Sequence, residues 1–195
     1  MNAVIFLNYQ NDSVKTLGLN LINAGADIEQ LIIVKEKGIS NAINYGLNKI
    51  DFSNIKYVTI LANDILEPDN WLSIRNDFLN DESIGICSIP LEGFSGDSLD
   101  LIGNFTISKE AIKRVGAFNQ DLDPYGAIDL DYCTRVRVSG LHTKYIPSIK
   151  ATHIEQNSSD KYGYNKMDLV KKTWDLHNKN VSSYMDGTKA YYIPL

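Results

Sequence analysis

Along the first ninety residues, short unbroken apolar runs alternate with stretches in which apolar positions recur every three or four places. AVIFL (3–7), QLIIV (30–34), YVTILA (57–62) and SIGICSI (83–89) read as strands. Unbroken runs of this length, rich in β-branched residues and punctuated by polar turns, suit a sheet buried on both faces. Between them lie three helical patterns. VKTLGLNLINAGA has Ser13 as its cap and Val14, Leu17, Leu21 and Ile22 on one face. GISNAINYGLNKI (38–50) is a small-residue helix, and PDNWLSIRNDFLN carries Pro68 near its first turn. This alternation predicts an α/β fold with a mostly parallel central sheet flanked by helices.

After residue 90 the rhythm changes. LEGFSGDSLD is a polar loop, LIGNFTIS a strand, and KEAIKRVGAF a short helix closed by Gly116. A loop with Pro124 and Gly126 leads into DLDYCTRVRVSG, a helix ended by Gly140. HTKYIPS and IKATHI read as short strands. Residues 1–155 therefore form the main domain, and 156–195 a polar, Tyr-rich tail with one helical stretch, YNKMDLVKKTWDLHNK. Met167, Val170 and Trp174 share a face of that helix, which predicts burial on the body or across a homodimer. There is no internal repeat.

One junction raises a chemical question. The apolar strand YVTILA runs straight into the polar pair Asn63-Asp64, then turns through Glu67-Pro68-Asp69. A carboxylate at the carboxyl end of a central strand sits where open α/β sheets bind ligands. The competing reading is an Asp that caps the next helix.

Composition narrows the partners. The 195 residues are 44% hydrophobic and 22% charged, with a net charge of -5 and no basic run. That argues against nucleic acid, whose phosphates need clustered Lys and Arg. An anionic small molecule would need a cation or backbone amides. Cys87 and Cys133 lack metal-type spacing and sit in apolar contexts, so they read as reduced core thiols in a cytoplasmic protein. The apolar start of the chain is too short for a signal-peptide core. No run approaches the roughly 20 apolar residues of a spanning helix.

Five stretches in order resemble family 2 glycosyltransferases of the GT-A fold. VIFLNYQND is similar to that family's first strand and polar turn, and GISNAINYGL to its Gly-x-x-x-Ala-x-Asn-x-Gly helix. LANDILEPDNWL resembles its strand-ending metal motif, and IGNFTISKEAIKRVGAFNQDL its acceptor-side strand and helix. GAIDLDYCTRVRVSGLHTKYIPS, with His153 beyond it, resembles the segment that carries the catalytic acid pair, an Arg, a Gly and a final His. The resemblance covers roughly residues 3–155. It implies metal-assisted, inverting transfer from a nucleoside-diphosphate sugar, a UDP-sugar favoured, to a glycan or other hydroxyl acceptor, as in polysaccharide biosynthesis.

The resemblance also implies roles. Asp64 and His153 would hold Mn²⁺ or Mg²⁺, which stabilises a diphosphate leaving group and favours oxygen ligands. Asn8, Tyr9, Glu36, Gly38, Ala42, Asn63 and Asp64 would contact the donor. Asp129 would be the general base that takes the acceptor's proton. For Asp129 and Asp131 alike, the bland alternative is to complement the helix dipole; for His153 it is a backbone-bonded strand-end histidine. Trp71 and the 92–104 loop are candidates for the acceptor side, with a core anchor the stronger reading of Trp71.

Three departures from the family pattern stand out. Ala62 and Ile128 occupy positions where the family usually has an acid or Asn. One βα piece is missing before the GISNAINYGL helix, along with the Asp that usually holds the base; Lys35 or Glu36 stands near its place. A non-catalytic GT-A domain that binds nucleotide sugars or glycans, or acts as a scaffold, is the alternative. A nucleotidyltransferase is weaker, since no Gly-rich basic loop lies near residue 10.

Overall fold

The computed structural model describes residues 1–8, 14–93, 104–154 and 165–195. Strands β1 (Asn2–Leu7), β2 (Gln30–Val34) and β3 (Tyr57–Ala62) alternate with helices α1 (Val14–Ile22) and α2 (Ile39–Leu47). β4 (Ile65–Leu66), α3 (Trp71–Phe78), β5 (Ile84–Ser88), β6 (Phe105–Ser108) and α4 (Lys109–Val115) follow. A 3-10 turn, Gln120–Leu122, precedes α5 (Ile128–Val138). β7 (His142–Tyr145), β8 (Thr152–His153) and α6 (Lys166–Met185) complete the order.

The main sheet has the order β2-β1-β3-β6-β5-β7. β1 runs parallel to β2 and β3, and β5 parallel to β7, while β6 is antiparallel to both neighbours. The mostly parallel sheet inferred from unbroken apolar runs is thus present, with β6 reversed inside it. β4 and β8 pair separately as a two-stranded sheet.

Period-two alternation divides the core. Ala3 and Ile5 of β1 pack with Ile43 and Leu47 of α2 and with Ile112 and Val136 of α4 and α5. Val4 and Phe6 face the other way, toward Leu17 of α1 and Trp71 and Leu72 of α3. Trp71 is fully buried, and its indole donates to the Asn20 carbonyl at 2.8 Å, which makes it a core anchor. α3 starts at Trp71, so Pro68 belongs to the preceding turn rather than to the helix. Cys87 and Cys133 are free and buried, and burial pushes the Cys87 thiol up to about 12. Among the described residues, no helix is long and apolar enough to cross a membrane.

The C-terminal helix docks on α5, but by a face other than the one its apolar residues suggest. Met167 and Trp174 are exposed, whereas Thr173, His177, Asn180 and Tyr184 are buried. The reason lies in what α6 covers, which is the charged side of α5 described below.

Candidate active site

The carboxyl ends of β1, β2 and β3 meet in register, with Leu7 beside both Val34 and Ala62. Each strand delivers residues to one edge of the sheet. Asn8 follows β1, buried, with its amide donating to the Val34 carbonyl at 2.8 Å. Exposed Glu36 follows β2, and half-buried Asn63 and Asp64 follow β3. Tyr9 and the 94–103 part of the 92–104 loop lie outside the described residues, as does Ser13.

β4 and β8 bring Asp64 and His153 together. Ile65 pairs with His153 and Leu66 with Thr152. This places the Asp64 Oδ2 3.5 Å from the His153 Nε2, with the imidazole half exposed. That separation is close to the roughly 3 Å between neighbouring ligands of one cation bonded at about 2.1 Å. A carboxylate oxygen beside an imidazole nitrogen, open to water, fits a divalent ion that draws its other ligands from solvent or a phosphate. Among the described residues, no group of three or more His, Cys, Asp or Glu could hold a metal.

The Asp64 turn rests on a buried polar network. Glu67 and Arg75 are fully buried and paired at 2.6 Å. The Asn104 amide donates to the same Glu67 oxygen at 2.8 Å, and its Oδ1 accepts the Ala62 amide at 2.5 Å. One side chain thus grips both ends of the segment that presents Asp64. From the other side, Asn20 donates to the Ile65 carbonyl and accepts the Glu67 amide.

The helix at 39–47 is used differently from the expectation. Gly38 has φ 88, and its Cα faces the Asp123 carboxylate so closely that a Cβ would lie 2.8 Å from an Asp123 oxygen. That carboxylate accepts from the amides of Ser40 at 2.7 Å and Asn41 at 3.0 Å. The N-terminus of α2, where a phosphate would be welcome, is filled by the protein's own acid. Burial raises the Asp123 pKa, and those amide hydrogen bonds only partly counter it. Ala42 is buried in the core and gives no surface to a donor. Asn44 clamps the Phe118 backbone, donating to its carbonyl at 2.9 Å and accepting its amide at 2.7 Å. Gly38 thus seats the Asp123 carboxylate at the α2 N-terminus, while Ala42 packs in the core.

Asp129 follows Asp123 by six residues. Asp129 lies half-buried in the first turn of α5, its Oδ1 accepting the Leu130 amide at 2.9 Å. Asp131 is fully buried instead. It pairs with Arg135 at 2.9 Å, accepts the Tyr184 hydroxyl at 3.1 Å, and has the His177 Nδ1 at 3.9 Å. Burial opposes ionisation of Asp131, yet His177 and Arg135 together hold it below the usual carboxylate range. Arg135 also donates to the carbonyls of Val115 and Ala117, each at 2.9 Å. The helix-dipole role considered for Asp131 is replaced by that of a hub between α5 and α6.

Thr173 completes the arrangement. Its hydroxyl accepts the Ala127 amide at 3.2 Å, at the N-cap of α5. Gly126, at φ 133, makes room for it: a Cβ there would lie 1.8 Å from the Thr173 oxygen. Sequence reasoning missed Thr173, Asp123 and the Glu67–Arg75–Asn104 network. For Arg75 there was a signal, since it shares the helical stripe of Trp71, Leu72 and Leu79.

This architecture, a mostly parallel central sheet flanked by helices, is the GT-A fold. A mannosyltransferase from Pyrobaculum calidifontis, solved with GDP-Man and Mn²⁺, superposes with a TM-score of 0.65 at 17% identity. The match covers 80% of this chain and 57% of that one, so the chain spans little more than half of that relative's length. A mutant of Drosophila β1,4-galactosyltransferase 7, with manganese, UDP-Gal and xylobiose, gives 0.63 at 13% identity over 87% of this chain and 79% of that one. Glucosyl-3-phosphoglycerate synthase from Mycobacterium tuberculosis, with Mg²⁺ and UDP, gives 0.64 at 11% identity over 91% and 79%. No family model matches the chain, and no curated protein matches its sequence.

Proposed function

We propose that the protein is a metal-assisted glycosyltransferase that moves a sugar from a nucleoside-diphosphate donor, a UDP-sugar in the first instance, to a hydroxyl of a glycan in polysaccharide biosynthesis. The observation that carries this reading is the meeting of Asp64 and His153 across a two-residue strand pair at the sheet's ligand-binding edge. The structural neighbours with bound nucleotides and divalent ions support it. The two buried thiols suit a reducing, cytoplasmic setting.

Asp64 and His153 would hold Mn²⁺ or Mg²⁺. A divalent ion bound there supplies positive charge to the diphosphate leaving group. Asn8, Asn63 and Glu36 stand at the strand ends where the donor would lie. Asp129 takes the proton from the attacking hydroxyl on its carboxylate, in the single, inverting displacement that the family resemblance implies. One observation favours the alternative of a binding or scaffolding subunit. Asp123 occupies the α2 N-terminus that a donor phosphate could have used.

Incubation with a panel of nucleotide sugars and Mn²⁺, with released nucleoside diphosphate as readout, separates the two. Calorimetry with UDP and GDP then addresses the metal. Binding should require the divalent ion, and Asp64→Ala should abolish the gain in affinity that the ion gives. Equal affinity of the wild type in EDTA rejects the metal role.

A further inference from the structure

The two edges of the main sheet are treated differently. β7, at one edge, turns exposed His142 and Lys144 outward on alternate positions, the usual guard against pairing with another strand. β2, at the other edge, has no Pro, bulge or charge within QLIIV. Its Leu31 and Ile33 are 40% and 48% exposed. Both lie on the α1 face of the sheet, because they are in register with Val4 and Phe6, which pack with Leu17 of α1.

The charges flanking β2 have an order. On the same alternate positions, reading along the chain, stand Asp27, Glu29, Leu31, Ile33 and Lys35, all exposed. The series runs from acidic through apolar to basic, so it is complementary to itself when reversed. An antiparallel copy centred on Ile32 sets Leu31 opposite Ile33 of the second copy and Glu29 opposite its Lys35. Directly opposed side chains on one face of an antiparallel pair lie within contact distance, and opposite charges there attract. A two-fold axis perpendicular to the sheet generates this pairing and keeps both α1 layers on one side.

We propose that β2 is a dimerisation edge, and that its occupant is β2 of a second copy of this chain, joining the two six-stranded sheets. The partner is specified by the acidic-to-basic polarity. A strand of uniform charge gains at one end of β2 and loses at the other, whereas the reversed copy gains at both.

Sedimentation velocity on the full chain tests it. The wild type should be dimeric at about 100 µM, where an association of micromolar strength is saturated. Glu29→Lys and Lys35→Glu should each weaken the dimer at least about tenfold, because like charges then face each other across the two-fold. The combined reversal should restore it. In a separate arm, Ile32→Cys should form an intermolecular disulfide on oxidation, since the two-fold places this residue against itself and the native thiols are buried. A monomeric wild type overturns the proposal and leaves the edge to a strand of another protein. A dimer indifferent to both single reversals, or one not recovered by the double, overturns it equally.

Discussion

The two corners of the candidate site are anchored by unlike means. The Asp64 corner is held from within: Glu67, Arg75 and Asn104 form a buried network spanning α3, β6 and the end of β3. The Asp129 corner is held from outside, by a helix added after the rest of the domain. Thr173, His177 and Tyr184 of α6 reach Ala127 and Asp131, on either side of Asp129. On the proposed function, the carboxylate that would hold a cation thus sits on the body, while the one that would receive a proton depends on the support of α6. The sequence segment that resembles a known family ends before that support begins.

The largest effects should come from unpairing either buried ion pair. Arg75→Ala strands Glu67 and Asp131→Ala strands Arg135, and each should cost about 3–5 kcal/mol of stability by chemical denaturation. Hydrogen exchange should then distinguish them. Asp131→Ala should free the amides of α6 and leave β1, β2 and β3 protected, whereas Arg75→Ala should loosen the Ala62–Glu67 turn. Equal loss of protection everywhere would merge the two corners into one cooperative unit. Acid should act on the same hub. A carboxyl held below its usual range adds stability above its unfolded pKa, near 3.9, and that stability disappears as pH falls through the lower folded value. Release of α6 should therefore be confined to strongly acidic solution.

Asp129→Asn ranks next. It keeps the shape of the side chain and removes the basic oxygen. Turnover should fall at least about a hundredfold, or about 2.7 kcal/mol in the barrier, with donor binding and melting temperature nearly unchanged. Normal turnover would move the base elsewhere. The Asp131→Asn control should move stability more than chemistry.

Thr173→Val should be the mildest. It deprives the Ala127 amide of its acceptor, a loss of about 1 kcal/mol by analogy with helix caps. If α6 aims Asp129, turnover should drop with donor affinity intact, and Thr173→Ser should rescue it. A stability change without a kinetic one would make α6 merely a clamp.

What could be read in advance follows the same division. β2 and β3 were delimited correctly because an unbroken apolar run has one sensible fate in a sheet covered on both sides. The Asp64–His153 meeting was reached only through resemblance, since β4 and β8 are two residues each and carry no periodicity. The polar networks were misread because a charge is ordinarily assigned to solvent. Arg75 among Trp71, Leu72 and Leu79, and Asp131 among Ile128, Tyr132 and Arg135, lie on inward-facing helical stripes. The same habit selected Met167, Val170 and Trp174 as the face of α6 to be buried on the body or across a homodimer, and within this chain the face that meets the body is another one. A helix that covers a buried acid must present hydroxyls and an imidazole, so the inward stripe is Thr173, His177, Asn180 and Tyr184.

The attachment of α6 to Asp131 also sets a timetable. During synthesis β1, α1, β2, α2 and β3 leave the ribosome before α5 does, and this half can consolidate as it emerges. Asp131 and Arg135 follow, but Tyr184 trails Asp131 by 53 residues. Until that stretch clears the exit tunnel, α5 carries an acid whose shielding hydroxyl does not yet exist. A nascent chain stalled before Tyr184 would expose a half-built hub to chaperones and proteases, and α6, translated after α5, is the helix that closes it.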